Sequence, residues 1–89
     1  MAVVLLRAPL RDRADGQAEV DLSGGSVGEV LRELERRYPR LEGWTLDEHG
    51  RVRQHVNVFV DGEPCREDAP VAPTARIHVL ASISGGSDG

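Results

Sequence analysis

The sequence predicts an α+β domain, a mixed sheet with one main helix packed across one face, and three observations carry that prediction. Four segments read as β-strands, over residues 3–8, 18–22, 54–60 and 75–83. A single segment, from Ser26 to Tyr38, repeats its apolar residues at helical spacing. With 89 residues there is room for one core, and runs of strand on either side of one helix pack best with the helix across the sheet.

Each element has a local reason. Val3 to Ala8 (VVLLRA) is a nearly continuous apolar run closed by Pro9, which suits a central strand covered on one or both faces. After the polar turn RDRADGQ, the stretch AEVDL alternates, with Ala18, Val20 and Leu22 on the inner side and Glu19 and Asp21 on the outer. The loop SGGS leads to Ser26 and Glu29 at capping-box spacing, where the hydroxyl accepts from the N3 amide and the carboxylate accepts from the N-cap amide. The helix that follows carries Val27, Val30, Leu31, Leu34 and Tyr38 as one stripe, places Glu33 near Arg36 and Arg37, and ends at Pro39. Residues 40–51 read as a loop pinned by Leu41, Trp44 and Leu46 and finished by the turn DEHG.

From Gln54, QHVNVFV puts Val56, Val58 and Val60 inside and His55, Asn57 and Phe59 outside. Asp61-Gly62 is a strong two-residue hairpin signal, followed by a short return strand over residues 63–66 that Pro64 confines to an edge. The Pro-rich loop EDAPVAPT precedes ARIHVLASI, whose inner residues are Ala75, Ile77, Val79, Ala81 and Ile83. Two hairpins flanking one helix bring the first and last strands together, parallel, at the centre of the sheet. This is the β-grasp, or ubiquitin-like, arrangement. Residues 1–84 form the domain and residues 85–89 a flexible C-terminal tail.

Composition narrows the function classes. The net charge is -4, and all 11 basic residues are Arg, so no basic surplus is available to hold nucleic acid. No apolar run is long enough to span a bilayer and no signal peptide opens the chain, which points to the cytoplasm without membrane attachment. Cys65 is the single cysteine, so an internal disulfide and a thiolate metal cluster are both excluded. His49, His55 and His78 lack the spacing of a metal site, Ser26 reads as a helix cap, and SGGS lacks the Lys and the length of a phosphate-binding loop. No acid, base and nucleophile group emerges, so an enzyme is the least favoured of the function classes.

The element order, the helix LRELERRYP, the segment RVRQHVNVFVDGE and a last strand running into Gly85-Gly86 resemble the ubiquitin-like sulfur carriers of the ThiS/MoaD family. The middle segment is most similar to the branch that supplies sulfur for cysteine biosynthesis, and the small subunit of molybdopterin synthase is a more distant relative. The resemblance implies a protein co-substrate with no bound cofactor. Its C-terminal glycine would be adenylated by an E1-like enzyme at the expense of ATP, converted to a thiocarboxylate, and delivered to a sulfur-accepting biosynthetic enzyme. Gly85 and Gly86 suit a slim peptide entering a narrow channel, because neither carries a side chain. In this sequence Ser87, Asp88 and Gly89 follow Gly86, so the reading requires cleavage after Gly86, by a zinc-dependent peptidase of the kind that serves some family members. Phe59 and Leu80, with His78 nearby, fall on the outer sheet face as an expected partner-binding patch. The competing reading is a β-grasp interaction module whose tail is never cut.

Overall fold

A computed structural model of the chain describes residues 1–81. The elements are β1 (Ala2–Leu6), α1 (Leu10–Arg13), β2 (Glu19–Leu22), α2 (Val27–Arg37), a 3-10 turn (Pro39–Leu41), β3 (Val56–Val60), β4 (Glu63–Cys65) and β5 (Arg76–Ala81). The sheet order is β2-β1-β5-β3-β4. Strands β1 and β5 are central and parallel, with Val4 opposite Ile77, and every other pairing is antiparallel. The predicted β-grasp topology is therefore the observed one. No helix among the described residues is long and apolar enough to cross a membrane.

One face of the sheet carries the core. Val4, Leu6, Val20, Leu22, Val56, Val58, Ile77 and Val79 point inward and meet Val27, Val30, Leu31 and Leu34 of α2, all of them buried. Burying each such side chain contributes about 1.5–3 kcal/mol, so the α2 stripe is a main source of stability. The helix begins as its cap residues dictate: Ser26 Oγ accepts from Glu29 N–H at 3.2 Å. The returning carboxylate of Glu29 accepts from Gly25 N–H at 2.8 Å, one residue before the N-cap amide that the capping box predicts. Gly24 must lack a side chain, since a Cβ there would lie 2.8 Å from Val30 Cγ2. At the β3–β4 hairpin both turn residues have positive φ, 50° at Asp61 and 89° at Gly62, the two-residue turn that Asp-Gly favours.

Several expectations are corrected. The stretch RDRADGQ is not a plain polar turn, because its first three residues, Arg11 to Arg13, belong to α1, with Leu10 fully buried at the helix start and Ala14 buried just after it. Ala18 lies before β2 and is exposed, so the inner face of that strand is Val20 and Leu22 alone. The first strand stops at Leu6 rather than Ala8. Glu33 pairs with Arg36, while Arg37 instead donates to the Asp21 carbonyl at 3.3 Å. Tyr38, Val60 and Ala81 pack against the core only partly buried. Ile83 and the tail lie outside the described residues.

Candidate functional site

Strand alternation decides what the second sheet face shows. Opposite the buried set stand Val3 and Leu5 of β1, Arg76, His78 and Leu80 of β5, Asn57 and Phe59 of β3, and Pro64 of β4. Register brings these together: His78 lies between Leu5 and Phe59, Leu80 pairs with Asn57, and Phe59 pairs with Pro64. Phe59 and Leu80 are thus diagonal neighbours across β3 and β5, about 7–8 Å apart by general strand geometry and within reach of their side chains. Phe59, His78 and Leu80 are all half-buried, as are Val3 and Leu5.

The fold places Phe59, His78 and Leu80 on one face, and further apolar residues share it. Leu5 and Val3 extend it across β1, and Pro64 extends it to β4. The signal for the β1 pair was present in VVLL, where a continuous apolar run leaves no polar residue for the outer face. Toward β2 the character changes, because Asp21 opposite Val3 and Glu19 opposite Leu5 are exposed acids. The surface is an apolar centre with an acidic border.

β5 leads toward the other predicted site. Its last described residue, Ala81, pairs with Val56, the first residue of β3. Gly85, Gly86 and Ser87 fall beyond it, outside the described residues. Ala81, the last described residue, lies at the end of the sheet where β3 begins and β4 finishes, beside the apolar patch.

That end is bordered by the segment from Asp47 to His55. Asp47 accepts from the N–H groups of His49 at 2.8 Å and Arg51 at 3.0 Å, closing the DEHG turn. Glu67 accepts from Val52 N–H at 2.8 Å, and Arg66 donates to the Val52 carbonyl at 3.2 Å. Both carboxyls are held below the usual range, Asp47 chiefly by the Arg51 N–H and Glu67 chiefly by the Val52 N–H. They are ionised at neutral pH and occupied with backbone.

The remaining candidates sit apart. Cys65 is half-buried on the edge strand opposite Val58, His49 lies at an exposed turn beside Glu48, and His55 is exposed ahead of β3. No group of three or more His, Cys, Asp or Glu among the described residues is placed to hold a metal ion. The SGGS loop spends its Gly25 N–H on Glu29, consistent with a turn and not with a phosphate cradle.

The ThiS family profile matches residues 4–86. The chain belongs to the ThiS family. Among curated proteins, the sulfur carrier protein CysO of Mycobacterium tuberculosis (strain CDC 1551 / Oshkosh) is 28% identical over 83 residues, covering 86% of this chain and 89% of that protein. Among solved structures, the BexX/CysO complex of Amycolatopsis orientalis contains a chain with TM-score 0.85 at 22% identity, covering 97% of this chain and 100% of that one. Small archaeal modifier protein 1 from Methanosarcina acetivorans superposes with TM-score 0.83 at 28% identity, covering 96% of this chain and 95% of its own. The family match runs through Gly85 and ends at Gly86, so Ser87, Asp88 and Gly89 lie beyond the matched residues.

Proposed function

We propose that this ThiS-family chain is a sulfur carrier: a protein substrate, not a catalyst, whose Gly86 carboxylate is activated and loaded with sulfur after Ser87 to Gly89 are removed. The observation that carries the reading is the family match ending on Gly86, together with a last described strand, β5, that ends five residues before it. Likeness to a curated sulfur carrier over most of both chains supports it.

The chemistry assigns each part a role. A carboxylate is a poor acyl electrophile. An E1-like partner therefore transfers AMP from ATP to the Gly86 carboxylate, releasing pyrophosphate. Hydrosulfide delivered by a sulfur donor then attacks the acyl carbon, AMP leaves, and a thiocarboxylate remains. Gly85 and Gly86 let the backbone approach closely inside the partner. The face of Phe59, His78 and Leu80, with Leu5 and Pro64, supplies an apolar surface beside the departing chain for the partner to grip. The sulfur then passes to an accepting biosynthetic enzyme, in cysteine formation or the synthesis of another sulfur metabolite, in the cytoplasm where ATP is available. Tail removal falls to a peptidase, with a zinc enzyme as the candidate class.

A second reading is favoured by the 28% identity to small archaeal modifier protein 1. The same activated Gly86 would then form an amide with an amine of another protein. Lacking Lys, the chain has no ε-amine through which to acylate its own copies.

The test is reconstitution. The chain ending at Gly86, mixed with ATP, an E1-like adenylating enzyme from the same cells and a sulfur donor, is expected to gain a thiocarboxylate that retards it on a mercury-containing gel. A chain that stays unretarded, while the enzyme loads its own established carrier, would reject the carrier reading.

A further inference from the structure

The end of the sheet from which the chain leaves for Gly86 is rimmed by arginine. Arg51 and Arg53 stand just ahead of Val56, the residue paired with Ala81, and Arg66 follows Cys65 at the same end of β4. With Asp47, Val52 and His55 they line one open depression. Arg53 is anchored by its Nε–H to the Gly43 carbonyl, and Arg66 by its bond to the Val52 carbonyl. Both are thereby oriented, and the Arg66 side chain stays 59% exposed. Arg51 is exposed and, among the described residues, no carboxylate stands within ion-pair distance of its guanidinium.

We propose that this rim is a docking surface for acidic side chains of the enzyme that adenylates Gly86, so that the partner is oriented onto the tail-bearing end of the sheet. The inference rests on the carrier reading and adds the chemistry of the partner. Geometry requires the encounter, because an enzyme that takes up the chain beyond Ala81 must approach the end of the sheet that these arginines border. Charge makes the encounter directional. The chain carries -4 overall and the β2 border of the outer face is acidic, so a negatively charged partner surface is repelled there and attracted at the rim. Guanidinium groups suit the task, since each presents a planar fork that meets a carboxylate through two parallel hydrogen bonds. Arg66 Nη2 lies 3.8 Å from Glu67 Oε1, a long ion pair that leaves most of its fork open, while Asp47 and Glu67 both accept from backbone N–H groups as well.

The test compares association rates of the Gly86-ending chain with its adenylating enzyme, by stopped flow over a range of salt. Arg51→Glu/Arg66→Glu is expected to slow association about tenfold or more at low ionic strength and to flatten the salt dependence. Arg36→Glu/Arg37→Glu, the same charge change on the exposed side of α2, should stay close to wild type. Arg51→Gln/Arg66→Gln should fall between them, and it keeps the test valid if the double reversal unfolds. Thiocarboxylate yield at saturating enzyme should be equal in all folded variants. Equal slowing by rim and control reversals, or rim variants that associate like wild type, would overturn the docking surface while leaving the carrier reading intact. A wild-type chain that the enzyme never loads would overturn both.

Discussion

A chain ending at Gly86 is expected to support ATP–pyrophosphate exchange by its adenylating enzyme, and the 89-residue chain to support none. The difference should be close to all-or-none. Adenylation requires a free carboxylate on the residue that reaches the partner's ATP, and in the longer chain that carboxyl of Gly86 is locked in an amide to Ser87. Within the Gly86-ending chain, Gly85→Val should reduce exchange by at least tenfold. A β-branched side chain stiffens the backbone and adds bulk where a narrow channel must close around it. The domain should melt unchanged, since, among the described residues, the buried core is built from residues no later than Val79. If both chain lengths exchange alike, or neither does with a competent enzyme, cleavage after Gly86 has no role and the uncut interaction module becomes the better account.

The second large effect concerns stability, and it centres on a residue that the helix pattern gives no reason to notice. Glu35, on α2, accepts from the N–H groups of Gly43 at 3.0 Å, Thr45 at 3.0 Å and Leu46 at 2.9 Å, and from the Thr45 hydroxyl. Thr45 is fully buried and Leu46 nearly so. One carboxylate therefore ties the loop after α2 to the helix and holds Leu41 and Leu46 in the core. Glu35→Ala strips buried donors of their acceptor and should cost about 3 kcal/mol. Glu35→Gln retains one acceptor oxygen and should cost clearly less. Urea unfolding of the three proteins measures this. A loss for Glu35→Ala below about 1 kcal/mol would mean that the loop holds itself in place.

Those two cases mark what could be read before the structure. Alternation and helical spacing are local, so the strands, the α2 stripe, the Ser26 cap and the Asp61-Gly62 hairpin were legible, and their order sufficed for the sheet topology. Phe59 and Leu80 were legible as outward residues for the same reason. Joining them to Leu5 and Pro64 needed the neighbour relations of β1, β5, β3 and β4, which no single segment carries. Helix α1 was hidden because Leu10 and Ala14 are two apolar residues amid Arg and Asp, and their burial comes from packing near the 3-10 turn after α2. Ala18 fitted the alternation but precedes the strand. Glu35 is charged and mid-helix, a position read by default as solvated, and its partners lie 8 to 11 residues onward in a loop without periodicity. The arginine rim likewise arises only when residues 51–53 and Arg66 meet at one end of the sheet.

The central claim is that Gly86 is the working end of this protein. Intact mass of the chain recovered from its native cells tests it most directly. The account predicts a species lacking Ser87, Asp88 and Gly89, part of it heavier by the exchange of one oxygen for one sulfur at the new C-terminus. Recovery only of chains that retain Ser87 to Gly89, with no sulfur-bearing form in cells actively making sulfur metabolites, would contradict it.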